Sequence, residues 1–199
     1  MIRVRTVNTN TVERWNEQYA TVESANRWSQ WGAEDLVAAV AEAIPLNSHV
    51  LDVGVGAGHG PAAVAHRRTD VVWSGLDFSA NALRYLRSSK KVPWRDLLQG
   101  DLVQGLRLPA RAYETVLCTE VLEHLENPAA GLLELVRVCR SRLIVSVPRE
   151  NVVDSDFHLW AFSEADIVQM LGAYGTVRTS LARSRRQIVG VLNKRPEET

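Results

Sequence analysis

The stretch VLDVGVGAGHG (residues 50–60) joins a short apolar segment to a run of glycines. Asp52 ends the apolar part, and the residues that follow it include Gly54, Gly56, Gly58 and Gly60. Glycine loses more backbone entropy on folding than any other residue, and it adopts positive φ angles without a steric penalty. The cluster therefore predicts a tight turn after a buried strand, at a place where another group lies directly against the backbone.

Strand-like and helix-like segments alternate on either side of this turn. Short apolar segments predict strands at 49–54, 71–77, 97–101, 113–120 and 142–148. Helical composition or spacing is found at 33–44, 60–68, 79–89, from 128 onward and at 163–175, with Ser79 and Asn127 as expected N-caps. A hairpin is expected at 176–182 and 187–193. This order predicts an α/β fold, a doubly wound parallel sheet with helices on both faces and an antiparallel edge.

Composition limits the classes of partner. The chain has 199 residues, 46% of them hydrophobic, which predicts one domain over residues 1–199. Lys and Arg together number 23, as do Asp and Glu, so a nucleic-acid partner is not expected, and the segment 182–187 (ARSRRQ) is predicted to be a solvated turn. Cys118 and Cys139 lack metal-like spacing and are expected to be buried thiols in a reducing compartment.

The expected cellular setting follows from the same features. The first ten residues are too polar for a signal peptide, and no apolar run approaches ~18 residues, so no membrane span is expected. We expect a cytoplasmic protein that is a monomer or a homodimer.

The glycine turn predicts a nucleotide-like ligand. In a doubly wound sheet, ligands bind beyond the carboxyl ends of the strands, and an acidic residue after the second strand accepts both hydroxyls of a ribose. Asp77 occupies that position. The dinucleotide fingerprint G-x-G-x-x-G does not fit, because its third glycine would fall at His59 or Pro61. Asp52 would repel a pyrophosphate but suits a ligand with an ammonium and a sulfonium group.

Four motifs stand in the order and spacing of one enzyme family. LDVGVGAG (51–58), GLDFS (75–79), QGDL (99–102) and VLCTEVLEHLENP (116–128) resemble class I S-adenosylmethionine-dependent methyltransferases of the small-molecule type, similar to the ubiquinone-pathway O-methyltransferases. The resemblance implies a Rossmann-like sheet of seven strands in the order 3-2-1-4-5-7-6, with the last strand antiparallel. It also implies S-adenosylmethionine as the cofactor.

The same resemblance implies roles for individual residues. The glycine turn (Gly54, Gly56, Gly58) would lie along the cofactor. Asp77 would hold the ribose hydroxyls, Phe78 and Leu102 would lie by the adenine, and Asp101 would accept from the adenine amino group. At the methionine end, the expected contacts are Asp52 and the backbone from Cys118 to Glu120.

The N-terminal segment is expected to cover the cofactor. Small-molecule members of the family often close a helical lid, and residues 1–32 resemble one, with the Rossmann-like core at 33–199. The aromatic residues Trp15, Tyr19, Trp28 and Trp31 could shape the acceptor pocket. They could equally pack the lid onto the sheet edge. We expect Trp15, Tyr19, Trp31 and His158 to contact the acceptor.

Residues 119–128 (TEVLEHLENP) allow three interpretations. Glu120, Glu123 and His124 would share one face if this stretch were helical. They could be structural, or His124 could be the general base with Glu123 orienting its ring. They could also hold a divalent metal together with His158, as in ubiquinone-pathway and small-RNA 2′-O-methyltransferases. The expectation adopted here is His124 and Glu123 as catalytic residues without a metal.

The expected activity is methyl transfer by in-line displacement to an oxygen or nitrogen nucleophile of a small molecule. One alternative is a non-catalytic module that keeps the cofactor pocket or serves as the partner of another enzyme. Another is a metal-dependent 2′-O-methyltransferase that acts on the end of a small RNA. A nicotinamide-dependent dehydrogenase is disfavoured by the missing fingerprint glycine.

Overall fold

A computed structural model describes residues 1–26, 34–149, 156–182 and 187–196. The strands are β1 (Ile2–Arg3), β2 (His49–Val53), β3 (Val72–Asp77), β4 (Trp94–Gln99), β5 (Tyr113–Thr119), β6 (Cys139–Pro148), β7 (Trp160–Ala161), β8 (Gly175–Ala182) and β9 (Gln187–Lys194). The α-helices are α1 (Val12–Gln18), α2 (Val22–Asn26), α3 (Glu34–Ala43), α4 (His59–Ala65), α5 (Ala80–Ser89), α6 (Pro128–Val138) and α7 (Glu164–Gly172). A short 3₁₀ turn spans Leu122–His124.

Seven strands form one sheet in the order β4-β3-β2-β5-β6-β9-β8. The pairs from β4 to β6 are parallel, whereas β9 is antiparallel to both β6 and β8. Counted along the sheet's own strands, this order is 3-2-1-4-5-7-6. The predicted fold class is therefore confirmed.

Two predicted strands have different bounds in the structure. The strand expected at 97–101 is β4, which starts at Trp94 and ends at Gln99. Because β4 lies at the sheet edge, it accommodates the exposed side chains of Arg95 and Asp96, which conceal its start in the sequence. The strand expected at 142–148 begins at Cys139, which pairs with Tyr113 ahead of an irregularity in register.

The sheet is buried on both faces, as a parallel sheet requires. On one face, Leu36 and Val40 of α3 pack in the same cluster as Val50 and Leu117. On the other face, α6 and α7 pack against the residues next along those strands; this cluster includes Leu51, Cys118, Leu132, Leu135, Ile167 and Leu171. Successive residues of β2 and β5 thus face opposite helical layers.

Side-chain caps fix where the helices begin. The Ser79 hydroxyl accepts from the Ala82 amide at the start of α5, and Asn127 accepts from Ala130 at the start of α6. Both predicted caps are confirmed. Both cysteines are free and buried, as expected. None of the described helices is long and apolar enough to cross a membrane.

The N-terminal segment is held against the sheet mainly by polar contacts. Asn16, in α1, accepts from the Ser79 hydroxyl at 2.8 Å, and its carbonyl accepts from the Asn81 side chain at 2.8 Å. No residue of α1 is buried. The pairing of β1 with β7, which the sequence did not predict, anchors the start of the chain. Residues 27–33, which include Trp28 and Trp31, and residues 183–186, within the segment 182–187 that was expected to be a turn, lie outside the described residues.

The backbone at Gly58 gives a test of this packing. Gly58 has φ +69°, and a Cβ there would lie 2.6 Å from Leu86 Cδ2 and 3.1 Å from Trp94 Cζ2. We expect Gly58→Ala to lower the free energy of unfolding by ~1–3 kcal/mol, because the φ angle is unfavourable and the neighbours are close. Urea unfolding followed by circular dichroism measures it. The matched control is Gly172→Ala, whose added methyl meets nothing within 4 Å; equal losses in both variants would contradict the packing argument.

Candidate functional site

A cavity of about 280 Å³ opens at the carboxyl ends of the central strands. Its wall combines strand ends, the loops that follow them and the N-terminal segment. The lining residues are Asn8, Asn10, Trp15, Tyr19, Val53, Gly54, Leu76, Asp77, Phe78, Gly100, Asp101, Leu102, Val103, Glu120, Val121, His124, Leu125 and Glu126. This is the position at which doubly wound sheets bind ligands.

The glycine turn after β2 has the positive φ angles that the sequence predicts. Gly54, Gly56 and Gly58 have φ values of +77°, +52° and +69°. Protein side chains lie against all three: Val121 contacts the Gly54 position, and the Tyr19 hydroxyl lies 2.6 Å from where a Gly56 Cβ would be. Of the three, only Gly54 is among the described residues that line the cavity. Gly58 instead caps α4.

Asp77 ends β3 and lies in the cavity wall. Its Oδ2 accepts from the Gly56 amide at 2.8 Å, and its Oδ1 accepts from the Ser79 amide at 2.8 Å. Burial raises the pKa of Asp77 to about 6, against the lowering effect of these amides. The carboxylate thus ties the glycine turn to the start of α5.

Asp52 lies behind the wall that Val53 and Gly54 form. The residue is 2% exposed. Its Oδ1 has no hydrogen-bond partner. Burial, and then the charge of Asp77, raise the pKa of Asp52 to about 8. The next strand places Cys118 nearby, and burial followed by the charge of Asp52 raises the pKa of that thiol. Asp52 and Cys118 are not among the described residues that line the cavity.

The loops after β3 and β4 bring Phe78, Asp101 and Leu102 together at one end of the cavity. Asp101 Oδ1 accepts from the Val103 amide at 2.8 Å, which holds the loop in a turn. Leu102 is buried, and Phe78 is half-buried. This end of the cavity is therefore apolar, with a carboxylate at its border.

Glu120 lies before the 3₁₀ turn that contains Glu123 and His124, so the helix on which all three would share a face is not formed. Glu120 directly follows β5. Its left-handed φ of +56° ends the extended conformation of the strand before the 3₁₀ turn begins. Its amide donates to the Ser146 carbonyl at 3.0 Å, and its Oε1 accepts from the Ser146 hydroxyl at 2.8 Å. Glu120 is therefore bound to β6.

Glu123, His124 and His158 form a cluster whose ligand atoms lie within 4.8 Å of one another. Glu123 is fully buried, and neither of its carboxylate oxygens has a hydrogen-bond partner; the same holds for His158 Nδ1. Burial, and then the charge of Glu120, raise the pKa of Glu123 well above its usual value. Burial, and then His158, lower the pKa of His124 to about 3. Both shifts favour the uncharged forms of these side chains, and the unpartnered atoms leave the hydrogen bonding of the cluster incomplete.

The His124 ring is oriented by the chain around Phe157. Its Nδ1 lies 3.0 Å from the Phe157 carbonyl, which requires a proton on Nδ1 and leaves Nε2 as an acceptor. Nε2 lies 3.8 Å from Glu123 Oε1. The rings of Trp15 and His124 pack edge to face, with their centroids 5.3 Å apart.

Trp15 and Tyr19 cover the cavity from the N-terminal side. Their rings stack with centroids 6.0 Å apart, and the half-buried Tyr19 lies over Gly56. Burial, and then Asp77, raise the pKa of the Tyr19 hydroxyl. The third predicted aromatic, Trp31, lies outside the described residues.

Sequence reasoning missed Asn8, Asn10 and Val121, all in the cavity wall. The Asn10 side chain donates to the Phe157 carbonyl at 2.8 Å, and Trp15 donates to Asn10 Oδ1 at 3.3 Å. The repeated asparagines in VNTN (7–10) were the available signal. No sequence pattern marked Val121, because its place in the cavity wall follows from the left-handed backbone at Glu120.

The charge of the wall is one-sided. Among the described residues it carries the carboxylates Asp77, Asp101, Glu120 and Glu126 and no Lys or Arg, although Glu126 pairs with Arg3 from outside the wall. Such a wall disfavours an anionic ligand such as a pyrophosphate and favours a cationic one.

Known proteins match both the sequence and the fold. The family described as methyltransferase domain matches residues 51–145. The ubiquinone biosynthesis O-methyltransferase of Hahella chejuensis is 30% identical over an alignment of 133 residues that covers 58% of this chain and 53% of that protein. The chain thus spans about half the length of this curated relative.

Solved structures share the fold at lower identity. A chain from the complex between the Haloferax volcanii Trm112 methyltransferase activator and a methyltransferase matches with a TM-score of 0.71 and 14% identity, over 96% of this chain and all of that one. The magnesium protoporphyrin IX methyltransferase of Synechocystis PCC 6803, solved with bound S-adenosylhomocysteine (SAH), matches with a TM-score of 0.63 and 20% identity, over 94% and 96% of the two chains.

The sheet order and the sequence match point the same way: residues 51–145 are similar to the methyltransferase domain family, and the sheet has the fold of solved methyltransferases.

Proposed function

We propose that this protein transfers a methyl group from S-adenosylmethionine to an oxygen or nitrogen atom of a small molecule. The observation that carries the proposal is the acidic cavity at the carboxyl ends of the strands. S-adenosylmethionine bears a sulfonium and an ammonium group, so it suits a wall with four carboxylates and no Lys or Arg among the described residues. The bound S-adenosylhomocysteine of the Synechocystis relative supports the same ligand class.

The nucleoside end is assigned to the loops after β3 and β4. Each Asp77 oxygen accepts one amide and retains a lone pair, so the carboxylate can accept two ribose hydroxyls. Phe78 and Leu102 would flank the adenine ring. Asp101 would accept from its amino group.

The methionine end is assigned to the region beside Gly54 and Glu120. Glu120 presents a carboxylate at the wall, and Asp52 adds a second acidic group behind Gly54. Gly56, Gly58 and Cys118 shape this end from behind the wall. A cationic ligand would offset the cost of burying these carboxylates.

The acceptor end is assigned to Trp15, Tyr19, His124 and His158. The transferred methyl needs in-line geometry, and positioning alone can lower a barrier by ~7–11 kcal/mol. His124 Nε2 would take the proton of the acceptor, because the Phe157 carbonyl orients the ring and holds the proton on Nδ1. Burial lowers the pKa of His124 to about 3, so the ring is neutral before transfer, and Glu123, with Oε1 3.8 Å from Nε2, would stabilise the charge that forms on it.

A second candidate is metal-assisted transfer, favoured by the unpartnered atoms of Glu123 and His158. One carboxylate and two imidazoles form a donor set that fits Mn²⁺, Fe²⁺ or Zn²⁺. Glu123, His124 and His158 would hold the ion, which would supply Lewis-acid polarisation of the acceptor oxygen. Glu120, expected as a fourth ligand, is bound to Ser146 instead.

Ligand binding is tested by thermal melting. We expect SAH at about 100 times its dissociation constant to raise the melting temperature by ~5–10 °C, because binding to the folded state alone stabilises it. NAD at the same concentration should have no effect, because its pyrophosphate meets an acidic wall. A shift with NAD and none with SAH would overturn the proposal.

Catalysis is tested at His124. We expect His124→Asn to lower kcat ~10²–10⁴-fold toward an acceptor found among phenols, catechols and amines, while the melting shift with SAH is kept. His66→Asn, at an exposed site, is the matched control. Retained SAH binding without transfer to any acceptor class would instead support the non-catalytic module.

The metal is tested by titration. If transfer is metal-assisted, we expect calorimetric titration to show that Mn²⁺ or Zn²⁺ binds the dialysed protein at pH 7. Glu123→Gln should abolish the heat of metal binding. A chelator would then stop methyl transfer, and one ion would restore it. Full activity in chelator would leave His124 as the base without a metal.

A further inference from the structure

Asp52 is a buried carboxyl group, and no described residue that acts on it supplies a positive charge. Asp52 directly precedes Val53, which lines the cavity. It is 2% exposed, and its Oδ1 has no hydrogen-bond partner. An isolated buried carboxylate is costly, so such a group takes up a proton or acquires a cation. What neutralises Asp52 therefore depends on what lies in the cavity.

The groups that face Asp52 are all acidic. Asp77 comes from β3, and the charge of Asp77 acts on Asp52 directly. Cys118 comes from β5, with Glu120 and Glu123 acting on it from the chain beyond that strand. Tyr19 comes from the end of α1 and lies beside Asp77. None of these groups can supply a positive charge.

Asp77 differs from Asp52 in how it is satisfied. Both Asp77 oxygens accept backbone amides at 2.8 Å, which stabilise the ionised form. Asp52 Oδ1 accepts nothing. The proton of the pair is therefore held mainly on Asp52, and Asp77 carries the charge.

We propose that Asp52 and Asp77 together distinguish a sulfonium ligand from a thioether ligand by exchanging one proton with water. The inference rests on the proposed function and specifies how its site separates cofactor from product. In the ligand-free state the pair keeps the proton, and it keeps it with SAH too, because the ammonium common to both ligands would lie against Glu120 in the wall. When S-adenosylmethionine binds, the added sulfonium charge drives the proton from Asp52 to bulk water and no bond in the ligand changes; Asp77 in the wall and Asp52 behind it are then both ionised.

This exchange favours product release. Methyl transfer converts the sulfonium into a neutral thioether, so the ionised pair loses its counter-charge and takes a proton back from water. The affinity for S-adenosylmethionine should rise with pH between about 6 and about 8, the pKa values of Asp77 and Asp52 in the ligand-free protein. Release of one proton makes the change up to about tenfold per pH unit. The affinity for SAH should stay nearly constant.

Calorimetry measures the proton directly. Each ligand is titrated into the full chain at pH 7, without acceptor, in two buffers that differ in ionisation enthalpy. We expect S-adenosylmethionine to release close to one proton more than SAH. The ammonium and carboxylate groups are common to both ligands, so their own titration cancels in the difference.

Asp52→Asn supplies the test of the residue. The variant is isosteric and cannot exchange the proton, so we expect the difference in proton release to vanish and the preference for the sulfonium to fall about tenfold or more. Glu114→Gln, which removes an exposed carboxylate from β5, is the matched control and should behave like the wild type.

The outcomes separate the two proposals. Binding of both ligands with equal proton release in the wild type overturns the proton exchange and leaves the proposed function standing. Binding of neither ligand overturns both. The wild-type titration decides the matter even if Asp52→Asn fails to fold.

Discussion

Burial of carboxylates without a basic partner is the constraint around which the site is built. Asp52, Asp77 and Glu123 lie inside the protein at the carboxyl ends of neighbouring strands or just beyond them. Backbone amides satisfy Asp77, whereas Asp52 and Glu123 each keep unpartnered oxygens. Groups of this kind cost stability unless they are protonated or meet a cation. A protein that binds a cationic ligand, as proposed here, has a reason to tolerate them, because the ligand offsets the cost of burying the carboxylates.

The cavity is completed by a segment that contributes little apolar burial. Helix α1 has no buried residue, and Asn16 attaches it to the start of α5 through hydrogen bonds. The Asn10 side chain, ahead of α1, donates a hydrogen bond to the Phe157 carbonyl. The same carbonyl also accepts from His124 Nδ1. Each such bond contributes only ~0.5–1.5 kcal/mol net. Hydrogen bonds thus fix the orientation of the N-terminal segment over the site but contribute little to its stability. The sheet below it is stabilised by two large apolar clusters.

The sequence predicted the parts of the fold that depend on local pattern. Apolar periodicity and the caps Ser79 and Asn127 gave the helices and most strands, and the glycines after Asp52 marked the cavity. It could not predict the left-handed backbone at Glu120, because that depends on pairing with Ser146 in a distant strand. For the same reason the β1–β7 pair and Asn10 were missed: short polar segments show no periodicity, and their structure comes from long-range contacts. The roles of the site residues stay predictions.

The position of β9 constrains how the chain can be made. This strand is the last of the sheet in sequence, yet it lies between β6 and β8 and pairs with both. During synthesis the ribosome would therefore have to release residue 194 before β8 can join the sheet. Until then the open side of β6 exposes unpaired backbone groups, which makes the nascent chain prone to aggregation for as long as β9 is missing from the sheet.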